Sequence, residues 1–290
     1  ERAPGFSGEA DESRLAYPGW SVAAGAGVGV FCAALVVVTF PVLLKPVATE
    51  FGWSREEVAR AFGLAAAAGA LCAGPLGARV DRNGVRSVAL PSLVLFGCAF
   101  ASLAWLRDLR QLYVTFVLLG VSGIGTSPVV YARAISSWFR ARRGLALALG
   151  ISGGALGGVL HPPLTEVLIA RLGWRGACFA LGLAVLALGL PLVAGCVRAA
   201  SAGRAERGVE EGLTLAQGLR ARTFWLLATG MLCGTMAQNG VIVHLSALLT
   251  DRGVSHAHAA GALSGMAAAA VAGRLVTGFL IDRLAAARVG

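Results

Sequence analysis

The chain has 290 residues, of which 57% are hydrophobic and only 14% charged, and its mean hydropathy is +0.74. Soluble domains carry about 25% charged residues, so this composition excludes an ordinary soluble globular protein. The formal net charge of +10 does not indicate a nucleic-acid-binding protein, because the arginines fall in the gaps between apolar runs and form no groove-binding segment.

Eight apolar runs are long enough to cross a bilayer, since about 20 apolar residues span roughly 30 Å of hydrocarbon. Lipid offers the backbone no hydrogen-bond partners, and the runs lack the period-two alternation of barrel strands, so we expect helices. In chain order the predicted spans are Trp20–Val47, Val58–Ala78, Ser87–Leu106, Gln111–Ser137, Gly144–Ile169, Trp174–Val197, Phe224–Thr250 and Ala259–Ile281. The predicted fold class is an all-α polytopic membrane protein.

Polar segments divide the chain into four predicted regions. Residues 1–18 form a charged tail that does not begin with Met and lacks the basic-then-apolar pattern of a signal peptide. Residues 19–198 hold six of the spans, and residues 199–222 form a charged linker that contains Gly and Ser. Residues 223–290 hold the last two spans.

The gaps between spans differ in basic charge, which predicts the orientation. Fifteen Lys and Arg residues fall on the side of the N-terminal tail and the linker, and six fall on the other side. The side that is richer in basic residues is expected to be cytoplasmic. The sequence therefore predicts a multi-pass protein of the cell membrane with its N terminus in the cytoplasm.

A charged motif in the gap after the second span is repeated after the eighth. An offset of 201 positions aligns Gly77, Asp81 and Arg82 with Gly278, Asp282 and Arg283. A repeat of the same orientation, six spans apart, indicates two halves related by an axis along the membrane normal. Asp81 could pair with cations or cap a neighbouring helix, while Gly77 allows close helix approach and Gly84 allows a tight turn.

The segment GPLGARVDRNGVR, Gly74–Arg86, resembles the signature loop of major facilitator superfamily transporters. The resemblance implies two six-helix halves, of which this chain holds helices 1–8 of 12, with the second half truncated. It also implies that the charged loops control a conformational switch. The residues assigned to that switch are Gly77, Asp81, Arg82, Gly84, Arg86, Gly278, Asp282 and Arg283.

Further segments resemble the monocarboxylate-transporter-like and oxalate/formate-antiporter-like members. They are YPGWSVAAGAGVGVF from Tyr17, WFRARRGLALALGISGGALGG from Trp138, LGWRGACFALG from Leu172 and VHLSALLTDRGVS from Val243. Gly150, Gly154 and Gly158 are predicted to pack helices closely. GISGGALGG is not interpreted as a dinucleotide loop, because it lies within an apolar span and follows no strand.

Ionisable residues inside spans are costly in lipid and indicate function. Arg274 is the only charged residue between Ala259 and Ile281, and a guanidinium can bind a carboxylate through two parallel hydrogen bonds. In the families named above, an arginine of the eighth helix binds the substrate carboxylate, and Arg274 aligns with it. The predicted substrate-binding residues are Arg274, Lys45, Tyr131, Asn239 and His244. For Arg274 and Lys45 the alternative is a structural role or a side chain that reaches the membrane surface.

One position departs from the resemblance. Eukaryotic monocarboxylate carriers have an aspartate four residues before the eighth-helix arginine, and this chain has Ala270 there. A carboxylate paired with Arg274 is therefore not expected to carry a coupling proton. Protons could instead cross with the substrate, use a histidine or use the helices of the truncated second half, or the protein could exchange anions and need no proton.

The predicted function is alternating-access transport of small organic anions, most simply monocarboxylates of the lactate or pyruvate type, with protons as a candidate coupling ion. The alternatives are a dicarboxylate or oxalate/formate-type exchanger and a non-transporting membrane receptor. The expected partners are the anion and the lipid bilayer, without nucleic acid, and a monomer is expected. No metal site is predicted, since the six cysteines lie in apolar stretches without a C-x-x-C pair. No cofactor is predicted, and no enzymatic activity either, since the spans contain no nucleophile–base pair or metal cluster.

Overall fold

Helices make up nearly all of the chain that the structure, a computed structural model, describes. The described residues are Glu12, 17–139, 141–198, 215–252, 265–266, 269–280 and 282–283, with residues 215, 216 and 238–251 described by their backbone alone. The helices are α1 (Pro18–Phe51), α2 (Arg55–Asn83), α3 (Arg86–Ser102), α4 (Leu109–Gly125), α5 (Pro128–Trp138), α6 (Arg143–Ala184), α7 (Leu190–Cys196), α8 (Leu215–Arg220), α9 (Arg222–Asp251) and α10 (Ala269–Leu280).

Five helical stretches within the described residues are long and apolar enough to cross a membrane. Four of them match the first four predicted spans, and α4 and α5 together form the fourth. The fifth stretch, Arg143–Cys196, contains the fifth and sixth predicted spans. These two are separated inside α6 at Gly173, whose φ of 71° and ψ of 168° are not helical. The prediction of an all-α membrane fold is confirmed.

Local sequence signals fix most helix ends. The hydroxyl of Ser54 accepts a hydrogen bond from the Glu57 amide at 3.1 Å, and the Glu57 carboxylate accepts one from the Ser54 amide at 2.8 Å. This reciprocal pair satisfies two backbone donors at the start of α2. Gly84 ends α2 with a φ of 80°, a conformation that glycine adopts without steric cost.

Backbone contact between α1 and the first part of α6 organises the bundle. A methyl group on Gly153 would overlap the carbonyl of Gly27, and one on Gly157 would lie 2.8 Å from Cβ of Ala34. Three glycines are predicted to pack helices. A Cβ atom added to Gly150 would lie 2.5 Å from Ile135, and one added to Gly154 would lie 3.2 Å from Val30, whereas one added to Gly158 would meet no atom within 4 Å. Small residues let two helices approach closely where lipid supplies no hydrophobic force between them.

A polar cluster joins three elements at the end of the bundle where α1 finishes. The carboxylate of Glu50 accepts hydrogen bonds from Trp174 at 2.5 Å and from Arg175 at 2.7 Å. Arg175 also donates to the carbonyls of Ala104 and Leu106, at 3.0 and 2.8 Å. The sequence analysis did not find this cluster, because its partners are 125 residues apart in the chain.

The chain divides into two compact units. One comprises residues 1–201 and 274–290, and the other comprises residues 202–273. The predicted boundaries at residues 18, 198 and 222 stay predictions.

Replacing Gly153 with alanine is expected to destabilise the bundle, because the added methyl group overlaps the Gly27 carbonyl. Overpacking of this kind costs about 1–3 kcal/mol, so the melting temperature of the detergent-solubilised protein should fall by several degrees. Gly158→Ala is the matched control, since it lies on the same helix and its methyl group enters open space. Equal melting temperatures for the two variants would contradict the proposed contact.

Candidate gate and substrate cavity

The aspartate in the second copy of the repeated motif caps a helix. The two carboxylate oxygens of Asp282 accept hydrogen bonds from the backbone amides of Gly144 and Leu145, at 2.6 and 2.9 Å. These amides belong to the first turn of α6, where backbone N–H groups have no partner within the helix. The positive end of the helix dipole lies there too. Asp282 therefore stabilises the start of α6 from a position 138 residues further along the chain.

Glycine brings α10 close enough to α6 for this contact. A Cβ atom on Gly278 would lie 2.6 Å from the carbonyl oxygen of Gly144 and 3.1 Å from Cβ of Ala148. Since Gly278 meets residues up to Ala148 while Asp282 meets the first turn of α6, the two helices run in opposite directions. Arg283 follows Asp282 and lies over the ring of Phe279, 4.4 Å from its centroid.

The first copy of the motif makes different contacts. Asp81 forms an ion pair with Arg133 of α5, and both side chains are more than half exposed. Arg86 donates to the carbonyl oxygen of Val197 at 3.0 Å. Within the described residues, Arg82 is exposed without an ion pair, and a methyl group on Gly77 would meet no atom within 4 Å. The two aspartates of the repeat are thus not brought together.

An apolar cavity of about 410 Å³ opens between α1 and the first part of α6. Its lining residues are Trp20, Ala23, Ala24, Gly27, Val28, Phe31, Leu149, Gly153 and Leu156. The lining combines two aromatic side chains with several small residues. Side chains of these types are expected to hold the apolar part of a small ligand.

Arg274 is exposed on α10 and forms no ion pair or hydrogen bond with the described residues. It shares a helix face with Gly278, one turn away, because side chains four residues apart lie on the same face. One helical turn is about 5.4 Å, so Arg274 lies one turn beyond the contact of Gly278 with Ala148. On α6, one turn beyond Ala148 is Ser152, which precedes Gly153, a residue that lines the cavity.

Of the other predicted substrate residues, the structure describes the side chains of Lys45 and Tyr131. Lys45 is exposed in the second half of α1. Tyr131 is fully buried on α5 against Gly29, and its hydroxyl has no hydrogen-bond partner among the described residues. Asn239 and His244 lie on α9, and their side chains fall outside the described residues.

Sequence reasoning missed a second acid at the start of α6. The carboxylate of Glu12 accepts a hydrogen bond from the backbone amide of Arg142 at 2.9 Å, and its carbonyl accepts one from the Trp20 indole at 3.2 Å. Glu12 lies in the polar tail, and nothing in its sequence surroundings predicts a partner 130 residues away.

Comparison with known proteins identifies the family. A sequence model of the Major Facilitator Superfamily matches residues 26–290, which is nearly the whole chain. The chain belongs to the major facilitator superfamily. The resemblance seen in the Gly74–Arg86 segment is therefore confirmed, and the chain is a multi-pass membrane protein of a transporter family.

The relatives in this superfamily include monocarboxylate transporters. Human monocarboxylate transporter 11 is 32% identical over 279 residues, which cover 91% of this chain and 56% of that protein. The MFS-type transporter YhjX of Escherichia coli is 30% identical, covering 81% of this chain and 59% of its own length. The MFS-type transporter pytF of Aspergillus terreus is 28% identical, covering 74% and 71%. The chain therefore spans between about half and three quarters of these relatives.

Asp282→Ala, which removes both carboxylate oxygens, is expected to loosen the start of α6. A helix cap is worth about 0.5–2 kcal/mol, so exchange of the Gly144 and Leu145 amides should become about 2- to 30-fold faster in hydrogen–deuterium exchange mass spectrometry. The amide of Glu57, in the first turn of α2, is the internal control, because Ser54 caps it from within the same segment. Unchanged exchange at Gly144 and Leu145 would contradict the cap.

Proposed function

We propose that this protein carries small organic anions, in the first place monocarboxylates of the lactate or pyruvate type, across a membrane by alternating access. The observation that carries the proposal is Arg274, an exposed arginine without an acidic partner among the described residues on an otherwise apolar helix. An uncompensated guanidinium at membrane depth has a strong preference for an anion. Relatives named monocarboxylate transporters, at 32% and 28% identity, support the same substrate class.

The cavity provides the apolar contacts that the guanidinium of Arg274 cannot make. A monocarboxylate has a charged end and an apolar body, and the body would lie between Trp20 and Phe31 on the small residues of α1 and α6. The carboxylate would bind Arg274, one helical turn beyond the contact of Gly278 with Ala148. This division between one charged contact and an apolar wall is typical of sites for small organic ligands.

The Asp282 cap is the proposed gate. It joins α10 to α6, which belong to the two predicted halves of the fold. Alternating access requires such contacts to form in one state and separate in the other. A cap worth about 0.5–2 kcal/mol is weak enough to open and strong enough to bias the populations, so the carrier is not held in one state.

An anion exchanger is the second candidate, and Ala270 favours it. Ala270 lies one turn before Arg274 on the same face of α10, where a carboxylate would otherwise pair with the arginine. An exchanger needs no proton-carrying group at this position, so transport would then depend on a counter-anion inside the vesicle.

Arg274→Ala is expected to reduce uptake of the anion strongly. The test is uptake of labelled lactate or pyruvate into proteoliposomes that contain the protein expressed from its complete coding sequence. Loss of a charged hydrogen bond costs about 1.5–3 kcal/mol, so uptake at subsaturating substrate should fall at least about tenfold, with partial retention in Arg274→Lys. Arg110→Ala, an exposed arginine in the first turn of α4, is the control and should transport normally.

The outcomes separate the candidates. Uptake that requires an internal anion indicates exchange, and normal uptake by Arg274→Ala would contradict the role of this residue. Absence of flux for every acid tested, together with saturable binding, would indicate a receptor.

Asp81→Asn is expected to slow transport more than it weakens binding. The Asp81–Arg133 pair is more than half exposed, and exposed pairs contribute about 0–1 kcal/mol to stability, so the fold should persist. The measurement compares the maximal uptake rate with the binding affinity of the same anion. Reduced affinity at an unchanged maximal rate would contradict a role in the conformational switch.

A further inference from the structure

A buried histidine on α6 has a ring nitrogen without a partner. His161 is 5% exposed, and its Nε2 lies 3.0 Å from the backbone carbonyl oxygen of Phe31 on α1. A carbonyl oxygen only accepts hydrogen bonds, so Nε2 carries the hydrogen, and Nδ1 of the neutral ring holds a lone pair. Nδ1 is buried and has no hydrogen-bond partner among the described residues. It is a vacant site for one proton.

The packing around His161 makes room for the ring. The imidazole lies 4.2 Å, centroid to centroid, from the ring of Phe31. A Cβ atom on Gly157, one turn earlier, would lie 3.2 Å from Cδ2 of His161, so glycine leaves the space that the imidazole fills. The Thr165 hydroxyl donates to the His161 carbonyl at 2.7 Å and so does not reach the ring nitrogens.

The elements around His161 supply no counter-charge. The titratable side chains on α1 are Cys32, Lys45 and Glu50, and those on α6 before Gly173 are His161 itself, Glu166, Arg143 and Arg171. Among the described residues, none of them forms an ion pair or hydrogen bond with the imidazole. A protonated His161 would therefore need a negative charge from a ligand, since a buried cation without a partner is strongly disfavoured.

The cavity is where such a charge would bind. Phe31 lines the cavity and its ring also contacts His161. One side chain thus contacts both the histidine ring and the space proposed for the anion. Imidazole is the side chain that gains and loses a proton in the physiological pH range.

We propose that His161 binds the proton that accompanies the anion, and that Phe31 controls its access to the cavity. This assignment rests on the proposed transport of organic anions. Water on the open side supplies the proton, which binds to Nδ1, and the same proton returns to water on the other side. The carboxylate and the imidazolium stabilise each other, and binding of one favours the other by the same factor. The pair crosses without net charge, which supplies the coupling that Ala270 does not provide.

The test compares two modes of transport in proteoliposomes that contain the protein expressed from its complete coding sequence. One mode is uptake of labelled pyruvate driven by an inward proton gradient, and the other is exchange of labelled for unlabelled pyruvate without a gradient. His161→Gln keeps an amide that can donate to the Phe31 carbonyl but accepts no proton near neutral pH. Thr165→Val is the matched control, because it removes another buried polar group one turn away on the same helix.

We expect His161→Gln to lose the stimulation by the gradient, since the protonation step is removed. Its exchange should persist but require a higher pyruvate concentration, because loss of the imidazolium weakens binding of the anion through the same coupling. Thr165→Val should keep both the stimulation by the gradient and the exchange. Full gradient stimulation in His161→Gln would overturn the assignment and leave the proposed transport intact. Absence of pyruvate uptake and exchange in the wild type would overturn the proposed function for this substrate, and the assignment with it.

If His161→Gln loses its melting transition, the variant is not folded, and a measurement on the wild type tests the proposal instead. Calorimetry of pyruvate binding at one pH, in two buffers of different ionisation enthalpy, gives the number of protons taken up with the anion. Uptake approaching about one proton per bound anion is expected from the linkage of the two sites. Uptake of none between pH 6 and pH 8 would overturn the proposal.

Discussion

The close backbone contact between α1 and the first part of α6 is the constraint on which the other features depend. Gly27 and Gly153 let the helices meet without intervening side chains, and the cavity opens beside that contact. The same two helices place His161 against Phe31. The start of α6 is also the point that Asp282 caps. Because one helix carries the proposed gate, the cavity wall and the histidine, a movement at its first turn would reach the cavity without an intermediate element.

Buried hydroxyl groups in the bundle are mostly satisfied within their own helices. Thr39, Ser152 and Thr165 each donate to the carbonyl four residues earlier. Such bonds are made by one helix alone and are the same in any arrangement of its neighbours. Tyr131 and His161 differ, since each keeps a buried polar atom unpaired among the described residues. At these two positions a ligand or a proton would supply a bonding partner that the described residues do not provide.

The extent of the first six spans could be predicted from the sequence, because in lipid a long apolar segment must pair its own backbone groups and therefore forms a helix. The break at Gly173 also lies between two predicted spans. The sequence raised helix capping as a role for the motif aspartate, and Asp282 makes such a cap. It did not reveal the partners of Glu50 or Glu12, which lie more than 120 residues away. Nor did it reveal the burial of Tyr131, since position on a helix does not specify which neighbour covers a side chain.

The residue that caps α6 is synthesised long after the helix that it stabilises. The start of α2 is capped by Ser54 and Glu57, which leave the ribosome together with the helix that they stabilise. The Gly144 and Leu145 amides depend on a residue that is translated 138 positions after Gly144. At about 5–20 residues per second, this interval lasts roughly 7–28 s. During that time the first turn of α6 lacks the cap that Asp282 provides, so this helix start is completed only after the first six spans have been synthesised.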